Sequence, residues 1–201
     1  MKVGLILECG PVGADKQVCK HIVSKFFPDV ELVDPVTLDN KPNLIAKCGS
    51  AAALLLTEGC ERVVVVWDLH PAWREDRARP CRKSDCDAAR QSLTNAGVKT
   101  DEAFLVCVEE ELEAWLLADG RALCAFLSRP TRRVEISDSK KPDLVRKPKT
   151  TLCKIMQQNG GGLYNDRVHA LRIAQNIPDL NKIKKSPTFC RFILKVTGTA
   201  L

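Results

Sequence analysis

The stretch Arg62-Val-Val-Val-Val-Trp-Asp68 is apolar without alternation, rich in β-branched side chains, and ends in a carboxylate. Such a run reads as a strand over Arg62–Trp67 buried on both faces, the kind found inside a parallel sheet. Working outward, Leu44–Thr57 is an alanine- and leucine-rich helix closed by Gly59, and Val30–Val33 is a short strand. Further back, Asp15–Phe27 carries Val18, Ile22, Val23, Phe26 and Phe27 at helical spacing, and Lys2–Glu8 is an apolar run ending in a second carboxylate. Downstream, Asp85–Asn95 is helical with Gly97 as its stop, Ala103–Val108 is a strand, and Glu109–Ala118 is a helix. Strands alternating with helices predict an α/β fold, a mostly parallel sheet flanked by helices, with ligands beyond the carboxyl ends of the strands.

From Ser128 the texture changes. Arg129–Arg133 and Ser137–Pro148 are polar, basic and broken by proline, and three short helices follow over Thr150–Gln158, Asp166–Gln175 and Pro187–Val196, with Gly160–Gly162 as a hinge. The expected organisation is an α/β domain over 1–128 and a basic loop and helical extension over 129–201 packed on it. Charge divides at the same place: residues 1–128 hold 15 Lys/Arg against 20 Asp/Glu, whereas 129–201 hold 16 against 5. An acidic body with a basic extension suits a metal site beside a polyanion-binding surface, although a merely solvated basic face reads the same way.

The chain has 201 residues, 45% of them hydrophobic and 28% charged, which fits a globular protein and excludes a wholly disordered one. The longest apolar runs, Ala51–Thr57 and Val63–Trp67, fall far short of the roughly 20 residues a membrane helix needs. The opening residues show no secretory signal, so the expected location is the cytoplasm. The ten cysteines are scattered; Cys81 and Cys86 form a close pair but lack two further zinc ligands nearby.

Glu8, Asp68 and the group Glu109, Glu110, Glu111, Glu113 all follow predicted strands, and parallel strands bring such ends together. Carboxylates gathered there can hold a hard divalent cation that bridges to phosphate. The simpler reading, an acid capping the next helix, is preferred for Glu110 and Glu111. It is not preferred for Glu8 and Asp68, each of which ends an apolar run. Trp115, Leu116 and Leu117 read as core, and His21 and His169 as residues without chemistry. Gly10–Lys16 lacks the spacing of a phosphate-binding loop and no G-x-S-x-G elbow appears, which removes nucleotide hydrolysis and a serine hydrolase.

Ile6-Leu-Glu8-Cys-Gly10 followed by a helix, then Val63-Val-Val-Val-Trp-Asp68-Leu-His70, resembles the Toprim signature. More narrowly, Asp68–Pro71, Glu109–Asp119, Lys147-Pro-Lys149 and Ser186–Phe192 look like an uncharacterised Toprim-like family, often encoded beside OLD-type or other ATPases in loci thought to act against phage and other foreign DNA. The resemblance implies a Toprim-like α/β domain with Glu8 in acid/base or metal chemistry, Asp68 holding Mg²⁺ or Mn²⁺, and phosphodiester cleavage as the reaction. It also implies an ATPase as a partner and a homodimer. His70 stands where the second aspartate belongs; imidazole is a poor ligand for Mg²⁺ and an acceptable one for Mn²⁺. Glu113, and after it Glu109, are candidates for the missing carboxylate.

The leading expectation is therefore a metal-dependent nuclease of DNA or RNA, with Glu8 and Asp68 catalytic and Glu8, Asp68, His70, Glu109 and Glu113 as metal ligands. The nucleic acid would lie along Arg132, Arg133, Lys140, Lys141, Lys147 and Lys149, with no membrane as partner. The alternative is a catalytically degenerate partner of an ATPase, or a nucleic-acid sensor. A more distant one is a cleft for a small phosphorylated metabolite.

Overall fold

The computed structural model describes residues 1–70 and 80–201; Pro71 of the Asp68–Pro71 motif lies outside the described residues. In chain order the elements are β1 (Lys2–Leu7), α1 (Ala14–Phe26), β2 (Glu31–Leu32), β3 (Val36–Thr37), α2 (Lys41–Thr57), β4 (Arg62–Asp68), α3 (Arg82–Asn95) and β5 (Ala103–Val108). Then come α4 (Glu113–Leu117), α5 (Gly120–Leu127), α6 (Pro148–Gln158), α7 (Asp166–Gln175) and α8 (Pro187–Thr197), with short 3-10 turns at Pro142–Leu144 and Ile183–Lys185.

The five strands form a parallel sheet in the order β2-β1-β4-β5, and β3 joins the same side of β1 as an interrupted continuation of β2. β4 is interior, as its unbroken apolar sequence requires, and its side chains alternate between two cores. Val64 and Val66 face a core shared with α1 and the helices from α4 onward, whereas Val63, Val65 and Trp67 face one shared with α2 and α3. The α/β class and the parallel sheet flanked by helices are thus as the sequence predicts.

Residues after 128 contribute directly to the first core. Leu152, Ala170, Ile173, Ile183, Phe189, Phe192, Ile193 and Val196 are buried with the strand residues, and α8 packs on β4 and β5 while α7 packs on α1. The two family-like segments meet here. Trp115 is wholly buried, its Nε1–H donates to Thr188 Oγ1 at 3.0 Å, and its ring lies 5.3 Å from those of Phe189 and Phe192. Beneath them the Asp143 carboxylate accepts from the Ser186 hydroxyl and, at 2.8 Å, from the Thr188 amide. Ser186 also caps α8 by accepting from Phe189 N at 3.1 Å, with Pro187 in the first turn.

On the opposite face, α2 and α3 approach so closely at Gly49 that a Cβ there would lie 2.0 Å from the Ser92 carbonyl oxygen. This contact fixes α2, whose first residue, Lys41, reaches the carboxyl edge of the sheet. Among the described residues, no helix is long and apolar enough to cross a membrane.

Candidate functional site

Glu8 directly follows β1 and Asp68 ends β4; the parallel register sets Leu7 opposite Val66 and Asp68 opposite Val108, so both carboxylates emerge at one edge of adjacent strands. The chain turns from β1 into α1 through Gly10–Gly13, closed by a Gly13 N to Gly10 O bond of 2.8 Å. Gly13 has no room for a side chain, because a Cβ would meet Cys9 Cβ at 2.5 Å. That tight turn delivers Asp15 to the same edge in the first turn of α1. Glu113 arrives at the first residue of α4, 6% exposed, after the loop that leaves β5.

These acids raise one another's proton affinity. Burial pushes Glu8 up to about 8, with Asp15 and Asp85 adding to the rise while Lys41 and the Asp68 amide oppose it. Asp15 rises to about 6 through burial and the nearby Asp166 and Glu111, against the pull of Lys149. Asp68 is held well above the usual carboxylate range by burial, then by Asp15, Glu8, Glu113 and Glu111 in that order. Glu113 reaches about 7 through burial and Asp15. Glu8, Asp15 and Asp68 nevertheless keep some accessible surface, so the group lines a crevice and is not sealed in the core. Glu8 Oε2 is buried and has no hydrogen-bond partner among the described residues.

Groups from distant parts of the chain frame the crevice. Tyr164 donates its hydroxyl to Glu113 Oε1 at 3.2 Å, and the Lys149 ammonium pairs with Asp166. The Glu111 carboxylate accepts from Lys149 N at 3.0 Å and that of Glu110 from Lys147 N at 3.3 Å, so both cap the start of α6. Lys147 adopts φ 52°, a left-handed conformation costly for a side-chain-bearing residue, immediately before Pro148. On the other side Lys41, 5% exposed, donates to Leu69 O at 2.8 Å and lies 3.8 Å from Asp85, which itself accepts from Trp67 Nε1 at 3.3 Å.

Of the residues singled out from sequence, Glu8, Asp68 and Glu113 are brought together. Glu109 turns away to pair with Arg82 at 2.9 Å, because Glu109–Leu112 leaves the strand as a loop and α4 begins only at Glu113. His70 lies beside Glu110, its Nε2 3.9 Å from Oε1. Lys147 and Lys149 border the crevice through their bonds to Glu110 and Glu111. Arg132, Arg133, Lys140 and Lys141 are exposed on the segment before α6, with the Arg132 guanidinium lying over Gly160. The sequence did not single out Asp15, Tyr164, Asp166, Lys41 or Asp85 as site residues, and it gave Glu110 and Glu111 to helix capping, the helix being α6. For Asp15 a signal existed, an acid in the first helical turn after a glycine-bounded loop following the Glu8 strand; the others are assembled by tertiary contacts.

An all-oxygen donor set with one buried, unpartnered carboxylate oxygen suits a hard divalent cation. As the side chains stand, no three His, Cys, Asp or Glu among the described residues converge closely enough to hold an ion.

A family model described as a domain of unknown function, DUF4276, matches residues 13–197. The match includes Asp15, Asp68, Glu113, Lys149 and Asp166, and begins after Glu8. No curated protein matches the chain. No solved structure matches it either.

Proposed function

We propose that this chain, which belongs to the DUF4276 family, is a divalent-metal-dependent nuclease acting on DNA or RNA. One observation carries the reading: Glu8, Asp15, Asp68 and Glu113 gather at the carboxyl edge of a parallel sheet, where burial and, after it, neighbouring carboxylates raise their proton affinity. Asp68 and Asp15, with Glu113, are the residues that would hold Mg²⁺ or Mn²⁺. The cation supplies Lewis acidity toward a phosphoryl oxygen and acidifies water.

The chain's own groups do the rest. Glu8, with its proton affinity near neutrality, is matched to taking a proton from the attacking water. Tyr164 holds Glu113 in place, and Lys149, oriented by Asp166, offers a cation to the phosphate. Arg132, Arg133, Lys140, Lys141 and Lys147 extend positive charge along the path of a polyanion. Glu109, bound to Arg82, and His70, beside Glu110, stand outside this ligand set. The ten cysteines are free thiols, which supports a reducing cytoplasmic setting. The family-like segments support a role against phage or foreign DNA alongside an ATPase, with a homodimer as the assembled form.

A second reading, a degenerate Toprim-like fold that binds nucleic acid or an ATPase without cutting, is favoured by the lack of three converged ligands among the described residues. Cleavage of labelled DNA and RNA with Mg²⁺ or Mn²⁺, comparing wild type with Glu8→Ala and Asp68→Ala, separates the two. Metal-dependent cutting lost in both variants supports the nuclease; equal cutting by the variants overturns the assignment of Glu8 and Asp68, and no cutting by wild type in any metal supports the second reading.

A further inference from the structure

A row of rings leads out of the crevice along α7. Tyr164, whose hydroxyl donates to Glu113 in the crevice, lies 6.0 Å from His169 between ring centres, tilted by 37°. His169 in turn lies 5.8 Å from Phe126 of α5, tilted by 58°, and the Arg172 guanidinium stands 5.4 Å from the centre of the Phe126 ring. Phe126 and Tyr164 rest on the small core formed by Leu127, Val134 and Met156. All three rings nevertheless keep part of their surface accessible, and Arg172 is exposed. Leu163, the neighbour of Tyr164, is 69% exposed.

The charge beside the row is uncompensated. Among the described residues the arginines in ion pairs are Arg82, Arg90 and Arg121, and neither Arg172 nor Arg132 is one of them. After α5 the chain bends through a bridge between Arg129 and Arg132, and the Arg132 guanidinium lies over Gly160 past the end of α6. His169 contributes a ring and not a proton. Its Nδ1 accepts from the Asn165 amide at 2.9 Å, and burial, then Arg172, lowers its proton affinity, so the ring is neutral at pH 7.

Rings and arginines interleaved in this way meet two different parts of a nucleic acid. Guanidinium groups take phosphates whether or not the bases are paired. Ring faces and an exposed leucine meet base faces only where the bases are unpaired, because pairing stacks them inside a duplex. We infer that the nucleic acid entering the crevice is single-stranded, its bases lying on Tyr164, His169 and Phe126 and its phosphates held by Arg172 and Arg132. This inference rests on the nuclease reading only in that a nucleic acid is bound at the crevice. It names the form of that nucleic acid and does not depend on cutting.

The test follows the anisotropy of a short fluorescent oligonucleotide titrated with the full chain, in EDTA and again with Ca²⁺. The oligonucleotide is offered as single-stranded DNA, as single-stranded RNA, as the matching duplexes, and as a DNA strand whose central bases are replaced by abasic sites. The intact single strand should bind at least tenfold tighter than the duplex and the abasic strand; a preference between DNA and RNA identifies the sugar, and either supports the inference. Phe126→Leu/His169→Leu keeps apolar volume and removes two rings, so it should weaken single-strand binding at least fivefold and leave the salt slope unchanged. An unchanged thermal melt confirms that this variant folds. Arg172→Gln, at an exposed position, should instead flatten the slope of log affinity against log salt by roughly 0.7. Duplex or abasic DNA bound as tightly as the intact strand, or a double variant that binds it as wild type does, overturns the inference and leaves the nuclease reading standing. Absence of binding to any nucleic acid in either condition overturns both.

Discussion

Replacing Glu113 with glutamine should stabilise the metal-free protein, and only at the higher pH. The carboxyl is 6% exposed, and its pKa stands at about 7 in the fold against 4.5 when unperturbed, with burial as the first cause and Asp15 the second. A proton is therefore bound more tightly by the folded chain than by the unfolded one, so ionisation opposes folding. That cost is absent below pH 4.5, grows as pH rises toward 7, and is complete above it. At about 1.4 kcal/mol per tenfold in proton affinity, it amounts to about 3 kcal/mol. Glutamine keeps an oxygen that can accept from Tyr164 and carries no charge. Urea unfolding in EDTA at pH 8.5 should thus show Glu113→Gln more stable than wild type by up to about 3 kcal/mol. The gain should vanish near pH 4.5, and millimolar Mg²⁺ should shrink it at pH 8.5 by stabilising the wild type. A variant equally or less stable at both pH values would refute the electrostatic reasoning, since it would mean that Glu113 sits there for packing alone.

Other perturbations bear on the frame around the crevice. Asp143→Ala strips partners from the buried Ser186 hydroxyl and Thr188 amide, and should cost about 3 kcal/mol in chemical denaturation. Gly49→Ala drives a methyl against the Ser92 carbonyl and should cost about 2 kcal/mol or more by separating α2 from α3. Gly97→Ala, at φ 75° with nothing nearby, should cost only about 1 kcal/mol in the same assay. For nucleic-acid binding, exchanging Arg132, Arg133, Lys140 and Lys141 together for glutamine should flatten the slope of log affinity against log salt by roughly 3 to 4, and an unchanged slope places the polyanion elsewhere.

Much of the fold is legible because its strands carry their own signal. β1, β4 and β5 are unbroken apolar runs, and a carboxylate directly after such a run marks Glu8 and Asp68 before any contact is known. β3 escapes because Val36–Thr37 is two residues long, too short for any periodicity, and exists only through its pairing with Ile6 and Leu7. α5 left readable traces in Asp119, whose side chain accepts from Arg121 N at 3.0 Å, and in the apolar spacing of Ala122, Leu123, Phe126 and Leu127. The predicted helix from Glu109 starts at Glu113 because Glu110 and Glu111 bond to the start of α6, a partner 37 or 38 residues away. Tyr164, Asp166 and Lys41 join the site through packing of α6, α7 and α2, for which no local spacing exists. The Trp115 and Ser186–Phe192 segments, distinctive as sequence, interlock in the core, so their specificity reflects packing beneath the site.

The central claim is that the crevice formed by Glu8, Asp15, Asp68 and Glu113 holds a divalent cation. The most direct test titrates Mn²⁺ into the metal-free protein at pH 7, read by calorimetry in buffers of different ionisation enthalpy and by the loss of the free-ion electron paramagnetic resonance signal. Saturable binding with net proton release is predicted, weakened at least tenfold in both Asp68→Asn and Asp15→Asn. Absence of binding at millimolar Mn²⁺, or binding that both variants retain in full, contradicts it.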